Sequence, residues 1–142
     1  MKNLFFKMIQ PINNDLGLLL ARAWLGSMMA YHGYGKIFGS MEGFTRYVAS
    51  MGMPAPEIMA WLAAVAELFG GLLVVVGLAT RPALLFIIAT MVVAAFVAHQ
   101  ADPFAKKELA LGYAIFSVAI FLASAGRYSL DFLLTSNKET KE

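Results

Sequence analysis

Of the 142 residues, 60% are hydrophobic and only 14% charged, with a mean hydropathy of +0.70; soluble domains carry about 25% charged residues. That balance excludes an ordinary water-soluble enzyme and points to an all-α integral membrane bundle, with length for one domain of about four transmembrane helices. The formal net charge of +2 comes from scattered basic residues that flank apolar runs, which fits a lipid bilayer and no nucleic-acid partner, and the lack of cysteine excludes disulfides, thiolate metal sites and thiol–disulfide chemistry.

The chain opens on an interfacial segment, residues 1–14. Leu4, Phe5, Met8, Ile9 and Ile12 form an apolar side beside Lys2 and Lys7, interrupted at Pro11. No cleavable signal peptide is evident, so the first span is expected to serve as its own insertion signal. Asn13, Asn14 and Asp15 supply cap-type residues before it.

The first span covers about residues 16–38 and contains Arg22, His32 and Lys36. Arg22, Met29 and Lys36 recur at intervals of seven, with Gly26 and Gly33 on nearly the same face. Such a stripe is expected to face other helices rather than lipid. Lys36, near the end, can snorkel. Residues 39–56 then read as a short surface helix carrying Phe44, Tyr47, Val48 and Met51, followed by a Gly-Pro turn.

The second span, about 57–78, holds one acidic residue, Glu67, in the middle of an apolar run. A carboxylate there costs roughly 2.5–3.5 kcal/mol unless it is paired, protonated or facing a cavity. Ala60, Ala63, Gly70 and Gly71 share its side, a close-packing pattern. A Thr80-Arg81-Pro82 turn leads into the third span, about 82–99, which ends at His99. After a polar loop, the fourth span covers about 108–126 from Glu108 through Tyr113, and residues 137–142 are expected to form a disordered polar tail. The single domain is thus residues 1–136, with short interfacial helices flanking the spans.

Basic residues set the expected orientation. Lys2, Lys7, Arg81, Arg127, Lys138 and Lys141 outnumber Lys36, Arg46, Lys106 and Lys107 across the bilayer, placing both termini in the cytoplasm. By helical rise, Arg22 lies about 9 Å and Glu67 about 16 Å from the inner edge, so an arginine side chain can bridge them. His32, Lys36, His99, Glu108 and Tyr113 fall together on the outer half as a second polar cluster.

These residues resemble the DoxX family of small four-helix membrane proteins. The resemblance rests on L-L-A-R at 19–22, Y-H-G-Y-G-K at 31–36, A-E-L-F-G-G at 66–71, G-L-A-T-R-P at 77–82, His99, the 108–113 segment and G-R-Y-S-L-D at 126–131. It implies a subunit of a quinone-linked oxidoreductase or oxidative-stress system in the bacterial inner membrane, incomplete as an enzyme alone and working with other membrane or redox proteins. Glu67 and Arg22 are then the candidate catalytic groups, exchanging protons with a quinone or polarising its carbonyl. His32, Lys36, His99, Glu108 and Tyr113 are the candidate cofactor contacts.

Competing readings stand beside this one. Arg22–Glu67 can be a structural pair that fixes helix register in a non-enzymatic assembly protein. The histidines can be separate interfacial residues with satisfied hydrogen bonds. A haem on His32 and His99, or a metal at His32, His99 and Glu108, lacks a supporting motif. A small-solute or proton-coupled transporter would require a homodimer and shows no broken-helix repeat. No phosphate-binding glycine loop, nucleophile elbow or dinucleotide fingerprint is present.

Overall fold

The computed structural model describes residues 13–139, and the expected interfacial segment lies outside them but for its last residues. α1 spans Asn14–Tyr34, opened by Asn13, whose side chain accepts a hydrogen bond from the Leu16 amide at 3.0 Å. It runs without a break into a π-helical turn, Gly35–Gly39. Ser40 then accepts from the Gly43 amide to start α2, Met41–Ser50, the surface helix expected from the spacing of Phe44, Tyr47 and Val48.

α3 covers Pro56–Val76, with proline in its first turn where a missing N–H costs nothing. It stops at Gly77, whose φ of 70° is the left-handed conformation that glycine adopts without penalty. α4 covers Thr80–Val93 and again passes into a π-helical turn, Ala94–Ala98. α5 covers Phe104–Ala123 and α6 covers Leu130–Glu139. The last helix has no bounds set by a residue pattern, and it extends into the stretch expected to be a disordered tail.

The four long helices pack in the order α1, α3, α4, α5, with α5 closing lightly on α1 and α2 lying against α3. The α1–α3 seam is the tightest. A Cβ added at Gly26 would lie 2.5 Å from the Gly71 carbonyl oxygen, and one at Gly71 would lie 2.5 Å from the Ala30 nitrogen. A Cβ at Gly33 would collide with the Leu68 backbone. Backbones meet directly along this seam, which is why the small residues of α1 recur at seven and turn inward.

Large apolar side chains on every long helix stand exposed, among them Leu20, Phe69, Phe86, Phe96, Ile115 and Leu122. The interior holds, among apolar residues such as Leu25, Met29, Leu84 and Ile87, the charged Arg22 and Glu67, both at most 2% exposed. Charge inside and hydrocarbon outside is the distribution of a protein dissolved in lipid. α3 and α4 with its π turn, each of mean hydropathy 2.2, have the length and apolarity of membrane spans.

Candidate functional site

Lys36 occupies the π turn that prolongs α1, and this turn lays its side chain against α3. Its Nζ donates to Glu67 Oε1 at 2.5 Å and stands 4.7 Å from the centre of the Phe44 ring of α2. The Lys36 side chain keeps 26% of its surface exposed, so the ammonium joins a buried carboxylate to a wetter edge of the bundle. The second oxygen, Glu67 Oε2, is buried with no hydrogen-bond partner among the described residues. A half-satisfied carboxylate in an apolar interior is costly, and such an atom is available to a ligand or to water.

Two cavities meet at this ion pair. The first, about 410 Å³, lies under α2 between α3 and α4, with Lys36, Glu67 and His99 among otherwise largely apolar walls that include Met51, Met53, Met59 and Phe44. Leu62, Phe86 and Ala89 also line it and are exposed on the outer surface of α3 and α4, so it communicates with the hydrocarbon phase. The second, about 190 Å³, is lined by His32, Lys36, Glu67, His99, Lys106 and Tyr113 together with Met29, Met91 and Leu109. Both π turns border the site, one carrying Lys36 and the other leading to His99. Such turns occur often at functional sites because the extra residue re-aims neighbouring side chains.

His99 Nδ1 lies 2.8 Å from Asp102 Oδ2, and Lys106 Nζ donates to Asp102 Oδ1 at 3.2 Å. The His99 ring, and then the Lys106 ammonium, hold the Asp102 carboxyl below the usual carboxylate range. The ionised carboxylate accepts from Nδ1–H, so in the neutral tautomer of His99 the acceptor nitrogen is Nε2. His32 packs edge-on against Tyr113, with ring centres 5.9 Å apart.

The expected Arg22–Glu67 pair does not form. Arg22 donates to the Tyr128 carbonyl at 2.6 Å and to the Val74 carbonyl at 3.4 Å. Val74 lies seven residues beyond Glu67, about 10 Å farther along α3. The cation that meets Glu67 is Lys36, expected to snorkel from the end of the first span. Glu108 also stands apart. It is exposed on a shallow outer groove with Trp24, Gly112 and Phe116, although Tyr113 lines that groove as well as the inner cavity.

Arg22 belongs instead to a polar lock at the opposite end of the bundle. Asp131, in the first turn of α6, accepts from the Ala79 and Thr80 amides at 2.8 and 2.9 Å and so caps α4, which has no side-chain cap of its own. Burial raises the Asp131 carboxyl, but the two amides and the Arg22 charge outweigh it and leave it below the usual range. Asp15 accepts from the Arg127 amide at 2.9 Å. G-R-Y-S-L-D is thus a closure motif. Sequence reading missed Asp131 and Asp102, whose partners are set by turns rather than by periodicity. Among the described residues no three His, Asp or Glu side chains gather as a metal site.

A helical membrane bundle with an apolar cavity ending on a buried ion pair is the class that this architecture defines. The DoxX family's sequence profile matches residues 17–100, more than half of the chain, and the protein belongs to that family. It is similar to "Putative oxidoreductase CatD" of Bacillus subtilis strain 168, with 34% identity over 112 residues that cover 79% of this chain and 81% of that one. Two Escherichia coli K12 proteins are also similar. "Inner membrane protein YqjF" is 32% identical over 84% of this chain and 93% of its own, and "Inner membrane protein YphA" is 37% identical over 60% and 61%. No solved structure matches the chain.

Proposed function

We propose that this protein is the membrane subunit of a quinone-linked oxidoreductase system and binds the head of a lipophilic quinone in the larger cavity. The observation that carries this reading is a largely apolar space of about 410 Å³, communicating with lipid and ending on Lys36, Glu67 and His99. Its size falls in the roughly 300–1,000 Å³ range of small-molecule sites. A bilayer-dissolved ligand enters sideways, its tail staying in lipid while its oxygens reach the ion pair. Lys36 donates to a quinone carbonyl, and Glu67 Oε2 accepts the O–H of the reduced form. A quinone held there would supply two-electron, two-proton redox chemistry, and Glu67 would hold each proton in turn while a partner redox protein exchanged the electrons.

The names of CatD, YqjF and YphA accord with an oxidoreductase role and a bacterial inner-membrane location. In this reading α1 and α5 cross the bilayer beside α3 and α4. Arg81 and Arg127 lie at the Arg22 end and Lys36, Arg46, Lys106 and Lys107 at the other, a distribution that with the terminal lysines supports a cytoplasmic position for both termini.

The test is saturable binding of radiolabelled decylubiquinone to the protein in nanodiscs, against empty discs. Wild type binds, and Glu67→Gln weakens binding about tenfold, the loss of one charge-assisted hydrogen bond. Binding no greater than to empty discs refutes the reading. The Arg22 lock favours a second role, that of an assembly subunit whose charges only specify the bundle. That role predicts that joint replacement of Lys36 and Glu67 by Met and Leu preserves partner capture and activity alike.

A further inference from the structure

The two cavities share Lys36, Glu67 and His99 but differ in the rest of their lining. The larger is almost entirely apolar. The smaller, about 190 Å³, presents His32, His99, Lys106 and Tyr113 to the same carboxylate. At roughly 30 Å³ per molecule it has room for several waters, and its walls offer the two to four polar partners that each water needs. Its far side is bordered by Lys106, which is exposed, and by His99, bonded to Asp102 in the loop between α4 and α5. A lipid-dissolved molecule and an aqueous proton therefore reach one buried carboxylate from two differently lined spaces.

We infer that the smaller cavity is a water-filled proton route joining Glu67 to the bulk solvent at the α4–α5 loop, with His99 as its relay group and Asp102 as the residue that positions it. Protonated Glu67 gives its proton through cavity water to His99 Nε2, forming the imidazolium; His99 then releases that proton to solvent and returns to the neutral ring. Each transfer leaves Glu67 as the carboxylate held by Lys36. No electron moves and no bond other than O–H and N–H changes.

The groups bearing on the relay come from every packed element. Asp102 fixes the ring, and Lys106 and Tyr113 stand on α5. Lys36 and His32 stand on α1 and its π turn, and Glu67 stands on α3. From α2, Tyr47 Oη reaches toward the Ala98 carbonyl at 3.5 Å. The Asp102 carboxylate stabilises the imidazolium as it forms, and the neighbouring Lys36 and Lys106 ammonium groups speed its discharge to water.

This inference deepens the quinone reading but is tested without any quinone. Protein in nanodiscs is given a rapid pH jump while the infrared carboxyl band is followed, the Glu67 contribution being the band that Glu67→Gln removes. His99→Gln slows the response of that band by about 10²-fold, the usual size of a positioned acid–base contribution. Asp102→Asn slows it less and leaves the band position unchanged, whereas Glu42→Gln on the exposed side of α2 has no effect. An unchanged rate in both His99→Gln and His99→Ala overturns the inference. So does the absence of any Glu67 band across the accessible pH range, because a carboxylate that never binds a proton relays none. Decylubiquinone binding measured on the same samples separates the two ideas: a His99-dependent band in protein that binds no quinone leaves the route standing and removes the quinone reading.

Discussion

Arg22 and Glu67 are both buried, both charged, and do different work. Arg22 satisfies carbonyls on two segments and stands beside Asp131; Glu67 has one oxygen bonded and one free. Arg22→Met is expected to strand those carbonyls and cost about 3 kcal/mol or more of stability, as when one partner of a buried charge network is removed. Thermal denaturation in detergent should show the loss, while the folded fraction keeps its ligand affinity. Glu67→Gln should do the reverse, keeping the fold and losing affinity. That Glu67 needs a cation was legible in the sequence, because few residues can sit so deep in an apolar helix unpaired. Which cation was not legible. Arg22 and Lys36 lie fourteen positions apart on the same face, and the choice depends on a π turn that no local residue type announces.

Helices in this bundle are defined by how they end and how closely they touch. The seam between α1 and α3 leaves no space for a methyl group at Gly26, Gly33 or Gly71. Gly33→Ala is expected to push the two backbones apart at a cost of about 1–3 kcal/mol, read as a lower midpoint of thermal unfolding. It should also lengthen the Lys36–Glu67 contact and weaken quinone binding. Gly35→Ala, immediately before Lys36 in the chain but with open space at its Cβ, should be close to neutral. The long helices were legible because apolar runs of span length and small-residue repeats are local signals. α6 was not, since its anchoring contact is Asp131 reaching back to the start of α4, a partnership across fifty positions.

At the scale of the whole molecule the two ends carry separate tasks: one end is a closed polar lock, the other an open polar site. Acidity should separate them. The Asp131 carboxyl is held below its unfolded value, so its stabilising contribution is present above about pH 4 and lost as pH falls through the folded value. Wild-type thermal stability should drop across that window, and Asp131→Asn should start lower and show a flatter profile. The same lock bears on how the chain can be divided. Tyr128 and Asp131 follow all four long helices in the chain, yet the Tyr128 carbonyl accepts from Arg22 on the first helix and Asp131 caps the amides that begin α4. Without residues 128–131, Arg22 lacks its Tyr128 carbonyl and the Ala79 and Thr80 amides lack their cap. A chain cut before residue 128 would carry every long helix and yet leave Arg22 with the Val74 carbonyl alone and the start of α4 without its cap, so the four spans and the closure of the bundle are separable by truncation.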